Sequence, residues 1–266
     1  MEISERQLLE LLCQSESAEL AAVYQEYCET IGESDVGQKM RACKYLCDQN
    51  RFATSVRETV PVGDADGAPD SVRGQVAYTR NSRTDSAFEL LREGNKRVRE
   101  HFVPSMADAC ECVWDGSCEF CLVPIENSID GKLYSFYAML DRYDLRICDT
   151  VSVEDGQGTS ELIFAVAGRR TLGENRMPSG RPLLLEFSAI SEDADFISNT
   201  VGAARELGGR VLSIGTQPSP DADDGNKYYF TVEFDGVSPV PMAVYLTLEH
   251  VRYSLIGWYP KYKKTK

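Results

Sequence analysis

The sequence predicts an α/β lobe followed by an α+β unit, with a helical module in front of both. Apolar side chains recur at helical spacing over residues 1–58, which predicts a small bundle of helices. Strand and helix patterns alternate over residues 74–167, which favours a parallel or mixed sheet with helices on its faces. The pattern over residues 181–266 is strand-helix-strand-strand-helix-strand. Gly-, Pro- and Asp-rich residues 59–73 and aperiodic residues 168–180 predict two linkers.

The helical module begins with a capping box at Ser4–Gln7, after which leucines recur on one face. A second helix is predicted over residues 18–31, and Gly32 is a plausible end for it. A third helix is predicted over residues 36–51. Nothing in the sequence of this module indicates a function.

In the α/β lobe, Ser105 is the expected N-cap of a helix that ends at Trp114. The predicted elements of the lobe are strand 75–78, helix 85–93, strand 97–102, helix 106–114, strand 119–123, helix 133–143, strand 145–153 and strand 162–167. The α+β unit has the ferredoxin-like element order. Its predicted elements are strand 183–187, helix 194–207, strand 211–216, strand 228–234, helix 241–251 and strand 255–259.

Composition limits the possible partners and location of the protein. The net charge of −14 predicts no nucleic-acid partner, because phosphate recognition needs a basic face. Apolar runs are too short for a membrane-spanning helix, and the N-terminus lacks the layout of a signal peptide. We therefore expect a cytoplasmic protein without a membrane partner, whose nine cysteines are thiols.

The stretch Val123–Gly131 contains a Pro, then Glu126, Asn127 and Ser128, and then a Gly before an amphipathic run. This order predicts a turn from a strand into a helix at the carboxyl end of the strand, where ligands bind in α/β sheets. Asn and Ser beside a helix N-terminus suit a carboxylate ligand. The same residues also suit a turn with an N-cap, and residue chemistry alone favours that second interpretation.

Three stretches in the same order resemble the prephenate dehydratase family. They are Val-Pro-Ile-Glu-Asn-Ser at 123–128, Phe-Val-Pro-Ser with its helix at 102–114, and Leu-Ile-Gly-Trp-Tyr-Pro at 255–260, which is similar to the ending of the ACT domain of these enzymes. The resemblance implies a periplasmic-binding-protein-like α/β lobe and a C-terminal ACT domain. It also implies a carbon–oxygen lyase that converts prephenate to phenylpyruvate in phenylalanine biosynthesis, without a cofactor or metal. A small carboxylate or amino-acid ligand and a homodimer formed through the ACT domain are implied in the same way.

The resemblance also suggests which residues would form the sites. The expected catalytic residues are Asn127 and, with a gap in the alignment, Thr159 or Ser160. The expected substrate-binding residues are Glu126, Ser128, Tyr78 and Arg80. The expected effector-binding residues are Asp193, Ala194, Gly215, Thr216 and Gln217.

Several departures from the family pattern predict impaired or lost catalysis. The family has a Thr-Arg-Phe motif, whereas alignment on Phe164 places Leu162 at the Thr position, and a gapped alignment puts Glu161 where the family has Arg. A negative charge there would repel a dianionic substrate. The family's second lobe lies between the strands predicted here at 145–153 and 162–167, which only a short acidic turn separates. The alternative function is a non-catalytic sensor of amino acids or aromatic acids.

The cysteines suggest a different kind of site. Cys110, Cys112, Cys118 and Cys121 form C-x-C and C-x2-C pairs, and four thiolates could bind zinc. However, the first pair lies on a predicted helix and points to different sides of it. With only His101 and His250 in the chain, a mixed Cys/His site is also not expected. The prediction is therefore no metal site.

Overall fold

The computed structural model describes residues 36–37, 39–40, 72–154, 159–169, 180–193, 195–218, 226–249 and 253–261. The four described residues of the predicted helical module are helical. The rest of that module, most of the first predicted linker and the centre of the second lie outside the described residues. None of the helices in the described ranges has the length and hydropathy needed to cross a membrane.

Strands and helices follow in nearly the order that the sequence predicts. The elements are β1 (Gly74–Tyr78), α1 (Ser82–Gly94), β2 (Val98–Phe102), α2 (Met106–Trp114), β3 (Phe120–Asn127), β4 (Gly131–Lys132), α3 (Tyr134–Arg142), β5 (Arg146–Glu154), β6 (Glu161–Gly168), β7 (Leu183–Ser191), α4 (Phe196–Glu206), β8 (Gly209–Pro218), β9 (Asn226–Phe234), α5 (Val240–Glu249) and β10 (Tyr253–Pro260). The short strand β4 is the one described element that was not predicted.

Side-chain caps determine where the first two helices begin. Helix α1 begins three residues before its predicted start, because the Asn81 side chain accepts a hydrogen bond from the Thr84 N–H at 3.0 Å. The Thr84 hydroxyl in turn accepts one from the Asn81 N–H at 3.1 Å, which completes a capping box. Ser105 caps α2 as predicted, in a second capping box with Asp108.

The strands of the described ranges all belong to one mixed sheet, in the order β2-β1-β3-β6-β5-β10-β7-β9-β8, with β4 paired to β3. Strand β1 runs parallel to its neighbours β2 and β3, and β10 runs parallel to β5. The other pairs are antiparallel. Within the C-terminal half, β7 to β10 have the spatial order fourth-first-third-second, which is consistent with the predicted βαββαβ order.

The two halves of the sheet are joined at Gly257 of β10, which pairs with Ile147 of β5. The strands approach so closely here that a Cβ atom on Gly257 would lie 2.8 Å from the Ile147 Cβ. A glycine is required at this position because only a residue without a Cβ atom lets the two backbones approach this closely. The sheet is therefore continuous across the two predicted domains.

Helices cover both faces of this sheet. In the C-terminal half, α4 and α5 pack on one face, and Met40 of the N-terminal module is buried in the same core. Lys39 forms an ion pair with Glu249 of α5 at 3.1 Å, which also attaches the module to this half. The opposite face, which we call the α3 face, packs against α3 of the N-terminal half through residues such as Tyr137 and Tyr229.

Candidate functional site

The parallel strands β1, β2 and β3 end at the same edge of the sheet, where Tyr78 was expected to bind substrate. Tyr78 is instead a core residue and is 2% exposed. Its ring stacks on Phe88 at 5.1 Å between centroids and meets the edge of Phe102 at 5.2 Å. Burial and the nearby Asp85 carboxylate raise the pKa of Tyr78 to about 12. This phenol therefore packs the edge of the sheet and is not displayed to a ligand.

Arg80 follows β1 and was the second residue in this region expected to bind substrate; its side chain is exposed. Its guanidinium lies 4.7 Å from the centroid of the Phe102 ring, and its Nε is 3.8 Å from an Asp85 oxygen. A cation over an aromatic face is stabilised by the ring quadrupole. Arg80 thus forms a surface cation–π contact at the end of β2 and remains accessible to an anion.

Strand β3 does not stop at Pro124, which corrects the predicted turn from strand to helix. It continues to Asn127 and folds back through β4 in a hairpin, where Asn127 pairs with Gly131. The Asn127 amide donates to Asp130 at 2.9 Å and accepts from the Ile129 N–H at 3.0 Å. Both ends of the amide are used within the turn, which is the role that residue chemistry alone favoured.

Ser128 lies beside the two other expected catalytic residues. Its hydroxyl accepts a hydrogen bond from the Glu161 N–H at 2.9 Å, and its own N–H donates to the Glu161 carbonyl at 2.9 Å. Thr159 and Ser160 directly precede Glu161, so the structure brings them next to Ser128. Ser152 donates a hydrogen bond to the Glu161 carboxylate. The side chain at position 161, where the gapped alignment expects the arginine of the Thr-Arg-Phe motif, is therefore acidic.

The expected site residues occupy two separate parts of the sheet edge. Ala77 of β1 pairs with Cys121 of β3, and β3 then extends six residues further to Asn127. At about 3.3 Å per residue, this places Asn127 roughly 15–20 Å beyond the end of β1. Tyr78 consequently does not share a pocket with Asn127.

A buried polar network on the α3 face was not predicted. Lys132 donates to Glu186 Oε1 and to the Tyr137 hydroxyl, both at 2.7 Å, and lies 3.2 Å from Glu126. Tyr137 and Thr231 also donate to Glu186 Oε1, at 2.9 and 3.0 Å. We call these residues the Lys132–Glu186 network. It connects the N-terminal half to β7 and β9. It also includes Glu126, which was expected to bind substrate and instead forms an ion pair with Lys132.

Burial and charge shift the pKa values of the network. Burial acts to lower the pKa of Lys132, but the Glu186 and Glu126 carboxylates outweigh it and raise that pKa overall. Burial and then the Glu186 charge raise the pKa of Tyr137 well above its usual range, and they do the same for the neighbouring Tyr259. These shifts favour the lysine cation and the neutral tyrosines at neutral pH.

Stability is expected to fall as the pH rises above about 10, the ordinary pKa of tyrosine. The unfolded chain then loses tyrosine protons that the folded chain retains, at a cost of about 1.4 kcal/mol per pH unit for each such group. Urea unfolding between pH 8.5 and 11 measures this slope. Tyr137→Phe should make the slope shallower than in the unchanged chain. An equal slope in the two proteins would contradict the assignment of a raised pKa to Tyr137.

Residues 77–154 match the family model for prephenate dehydratase. The matched segment runs from β1 to the end of β5, and it contains the Glu126–Ser128 stretch that carried the resemblance in the sequence. No curated protein matches the chain.

Solved structures share the fold at low sequence identity. A prephenate dehydratase from Streptococcus mutans has a TM-score of 0.57 at 14% identity, with 71% of this chain and 99% of that chain covered. A prephenate dehydratase from Arthrobacter aurescens, in complex with L-Phe, has a TM-score of 0.55 at 13% identity, with coverages of 70% and 90%. The quorum quenching acylase GqqA has a TM-score of 0.55 at 17% identity, with coverages of 71% and 95%.

The chain differs from the family pattern after β5, where the segment that matches the prephenate dehydratase model ends. Strands β5 and β6 form a direct antiparallel hairpin, and Glu154 pairs with Glu161 at its end. Residues 155–160 are all that separates these strands, at the place where the resemblance puts the family's second lobe and the sequence predicts only a short turn. Leu162, at the position of the motif threonine in one alignment, pairs with Asn127 and carries no proton donor.

The expected effector residues lie in surface turns or packed strand positions. Asp193 accepts a hydrogen bond from the Asp195 N–H at 2.9 Å in the turn before α4, and Ala194 lies outside the described residues. Gly215 is buried beneath Tyr134, and a Cβ atom there would lie 2.1 Å from the Tyr134 Cζ. Thr216 is exposed and Gln217 is half-buried further along β8. The space that the glycine leaves in β8 is thus filled by an aromatic ring of α3.

The cysteines near β3 separate into two groups. Cys110 and Cys121 are fully buried and interact with each other, and this hydrogen bond, with burial, raises the pKa of Cys121. Cys112 and Cys118 instead lie beside His101 of β2. The sequence offered no reason to expect a mixed Cys/His site, because only the parallel β1–β2 pairing brings His101 to this side of the sheet.

Proposed function

We propose that the protein is a prephenate dehydratase-like protein whose conversion of prephenate to phenylpyruvate is impaired or lost. The observation that carries this proposal is the direct β5–β6 hairpin, which leaves residues 155–160 where the family has a second lobe. A reaction that expels a hydroxyl and a carboxylate needs groups on both sides of the substrate for orientation and acid assistance. One wall of such a cleft would supply few of them.

The polar groups on the remaining wall support the same proposal. The Asn127 amide is already engaged at both ends in its own turn, and Glu161 supplies a negative charge beside Ser128. Arg80 is a cation at the same edge, but it follows a strand that ends well before Asn127. A dianionic substrate would therefore meet the Glu161 carboxylate and an Asn127 amide that is already hydrogen-bonded, where the family offers hydrogen-bond donors.

A turnover assay tests this proposal. Purified protein is given prephenate, phenylpyruvate is followed by its absorbance in alkali, and the Streptococcus mutans dehydratase serves as the active control. We expect no turnover above background, and the same result for Asn127→Ala. Clear turnover that Asn127→Ala abolishes, while circular dichroism shows an unchanged fold, would overturn the proposal and return Thr159 or Ser160 to a catalytic role.

The second candidate function is a sensor of amino acids or aromatic acids. The βαββαβ order of the C-terminal half and the L-Phe complex of a similar structure favour an ACT-type regulatory role. A homodimer through this unit is implied by the family resemblance. Tyr134 over Gly215 disfavours binding of phenylalanine in the family's manner. The name of the acylase GqqA shows that this fold is associated with more than one activity. In the same samples, a rise in melting temperature with phenylalanine or prephenate would favour the sensor.

A further inference from the structure

Three metal-binding side chains meet between β2 and the end of α2. The ligand atoms of His101, Cys112 and Cys118 all lie within 4.8 Å of one another. They come from β2, from the last turn of α2 and from the loop before β3. We propose that His101, Cys112 and Cys118 bind a transition metal ion of the zinc class.

The local backbone holds the two cysteines side by side without help from a metal. The chain turns between them at Asp115 and Gly116, and Gly116 has a φ of 86°, which favours glycine. The Ser117 N–H donates to the Asp115 carboxylate at 2.7 Å, and the Cys118 N–H donates to the Cys112 carbonyl at 2.8 Å. Both thiols are thus presented from one closed loop, as in a preorganised site.

The distances are close to those of a coordinated ion. Zinc–sulfur bonds of about 2.3 Å and zinc–nitrogen bonds of about 2.0–2.1 Å put tetrahedral ligand atoms about 3.5–3.8 Å apart. Rotation of the three side chains would shorten the present separations, which are within 4.8 Å, to this spacing. The Gln75 Oε1, which lies 3.8 Å from the Cys118 Sγ, or a solvent molecule would occupy the fourth position. Two thiolates and an imidazole select zinc or a similar soft ion over magnesium or calcium.

The surroundings of the cluster favour a cation. His101 and Cys112 are partly exposed, so an ion has a route from solvent. Nearby acidic side chains contribute to the electrostatic surroundings of the two thiols; they are Asp108, Glu111, Asp115 and Glu119. Arg169 is a cation beside the turn at Gly116, and it is outnumbered by these four carboxylates. The balance of charge beside the cysteines is therefore negative, which raises the local concentration of cations.

Metal titration of the full chain tests this site. Reduced, metal-free protein is titrated with Co²⁺, and the affinity for Zn²⁺ is measured by competition with a chromophoric chelator. We expect one tightly bound ion with thiolate-to-cobalt charge-transfer absorption. His101→Gln and Cys112→Ser should each weaken zinc binding at least tenfold. Cys148→Ser, which changes a buried cysteine of β5 outside the cluster, should leave it unchanged.

Other outcomes would overturn the site. Zinc binding of unchanged affinity in both His101→Gln and Cys112→Ser would place the metal on other cysteines of the chain. The absence of binding to the reduced chain, with a Cys112–Cys118 disulfide in protein purified without reductant, would indicate a redox pair instead. His101 is partly exposed, so His101→Gln should retain the fold, and circular dichroism checks that it does.

Discussion

Replacing Lys132 with methionine is expected to lower the free energy of unfolding by about 3–5 kcal/mol. The substitution keeps most of the side-chain volume but leaves the Glu186 carboxylate, whose side chain is 1% exposed, without its cation. Only one Glu186 oxygen has hydrogen-bond partners among the described residues, so the buried charge depends strongly on Lys132. Urea unfolding at pH 7, monitored by circular dichroism, measures the loss.

Two controls separate this effect from general damage. Arg92→Ala removes an exposed ion pair with Glu89, where each side chain is 53% exposed, and should cost about 0.5 kcal/mol or less. The double change Lys132→Met with Glu186→Leu removes both charges and should recover much of the loss, because a buried pair replaced by apolar groups is often neutral. A loss below about 1 kcal/mol for Lys132→Met alone would contradict a buried, charged Glu186.

Gly257→Val is expected to lower the free energy of unfolding by about 3 kcal/mol or more, at the upper end of overpacking effects. The new Cβ would meet the Ile147 Cβ at 2.8 Å, and an atom that close to the backbone cannot rotate away as the end of a long side chain can. The strands β5 and β10 would have to separate at the pair that joins the two halves. We expect a lower urea midpoint and separate transitions for the two halves.

Gly94→Ala is the matched control for this change. A Cβ atom on Gly94 would meet nothing within 4 Å, and Gly94 is the last residue of α1. The substitution should therefore leave the free energy of unfolding nearly unchanged. A Gly257→Val protein with the stability of the unchanged chain and a single transition would mean that the β5–β10 pair does not join the halves. Near-ultraviolet circular dichroism, which reports Trp258 of β10, would show whether that strand has moved.

Local signals predicted the elements well because each depends on neighbouring residues. The Ser105 cap and the periodicity that follows it placed α2 correctly. The continuation of β3 past Pro124 was missed because a proline within a strand usually marks its edge or end. Here the pairing with β6 shifts register between Pro124 and Glu126, and this irregularity accommodates the missing N–H.

Contacts between distant segments could not be predicted from a single sequence. The lone Glu186 in the apolar run of β7 was a detectable signal that a buried carboxylate needs a partner. Its partner Lys132 lies in a strand of two residues, and no pattern connects the two positions. His101 and Cys118 were likewise brought together by strand pairing, which periodicity does not determine.

The position of β10 in the middle of the sheet has a consequence during protein synthesis. Strand β5 is complete at Glu154, but its parallel neighbour begins only at Tyr253. At ribosomal rates of about 5–20 residues per second, the β5 edge that pairs with β10 stays unpaired for several seconds. An unpaired edge is a template for association with other chains. The nascent chain is therefore most exposed to misassembly while residues 155–252 are being translated, the interval in which a chaperone would protect it most.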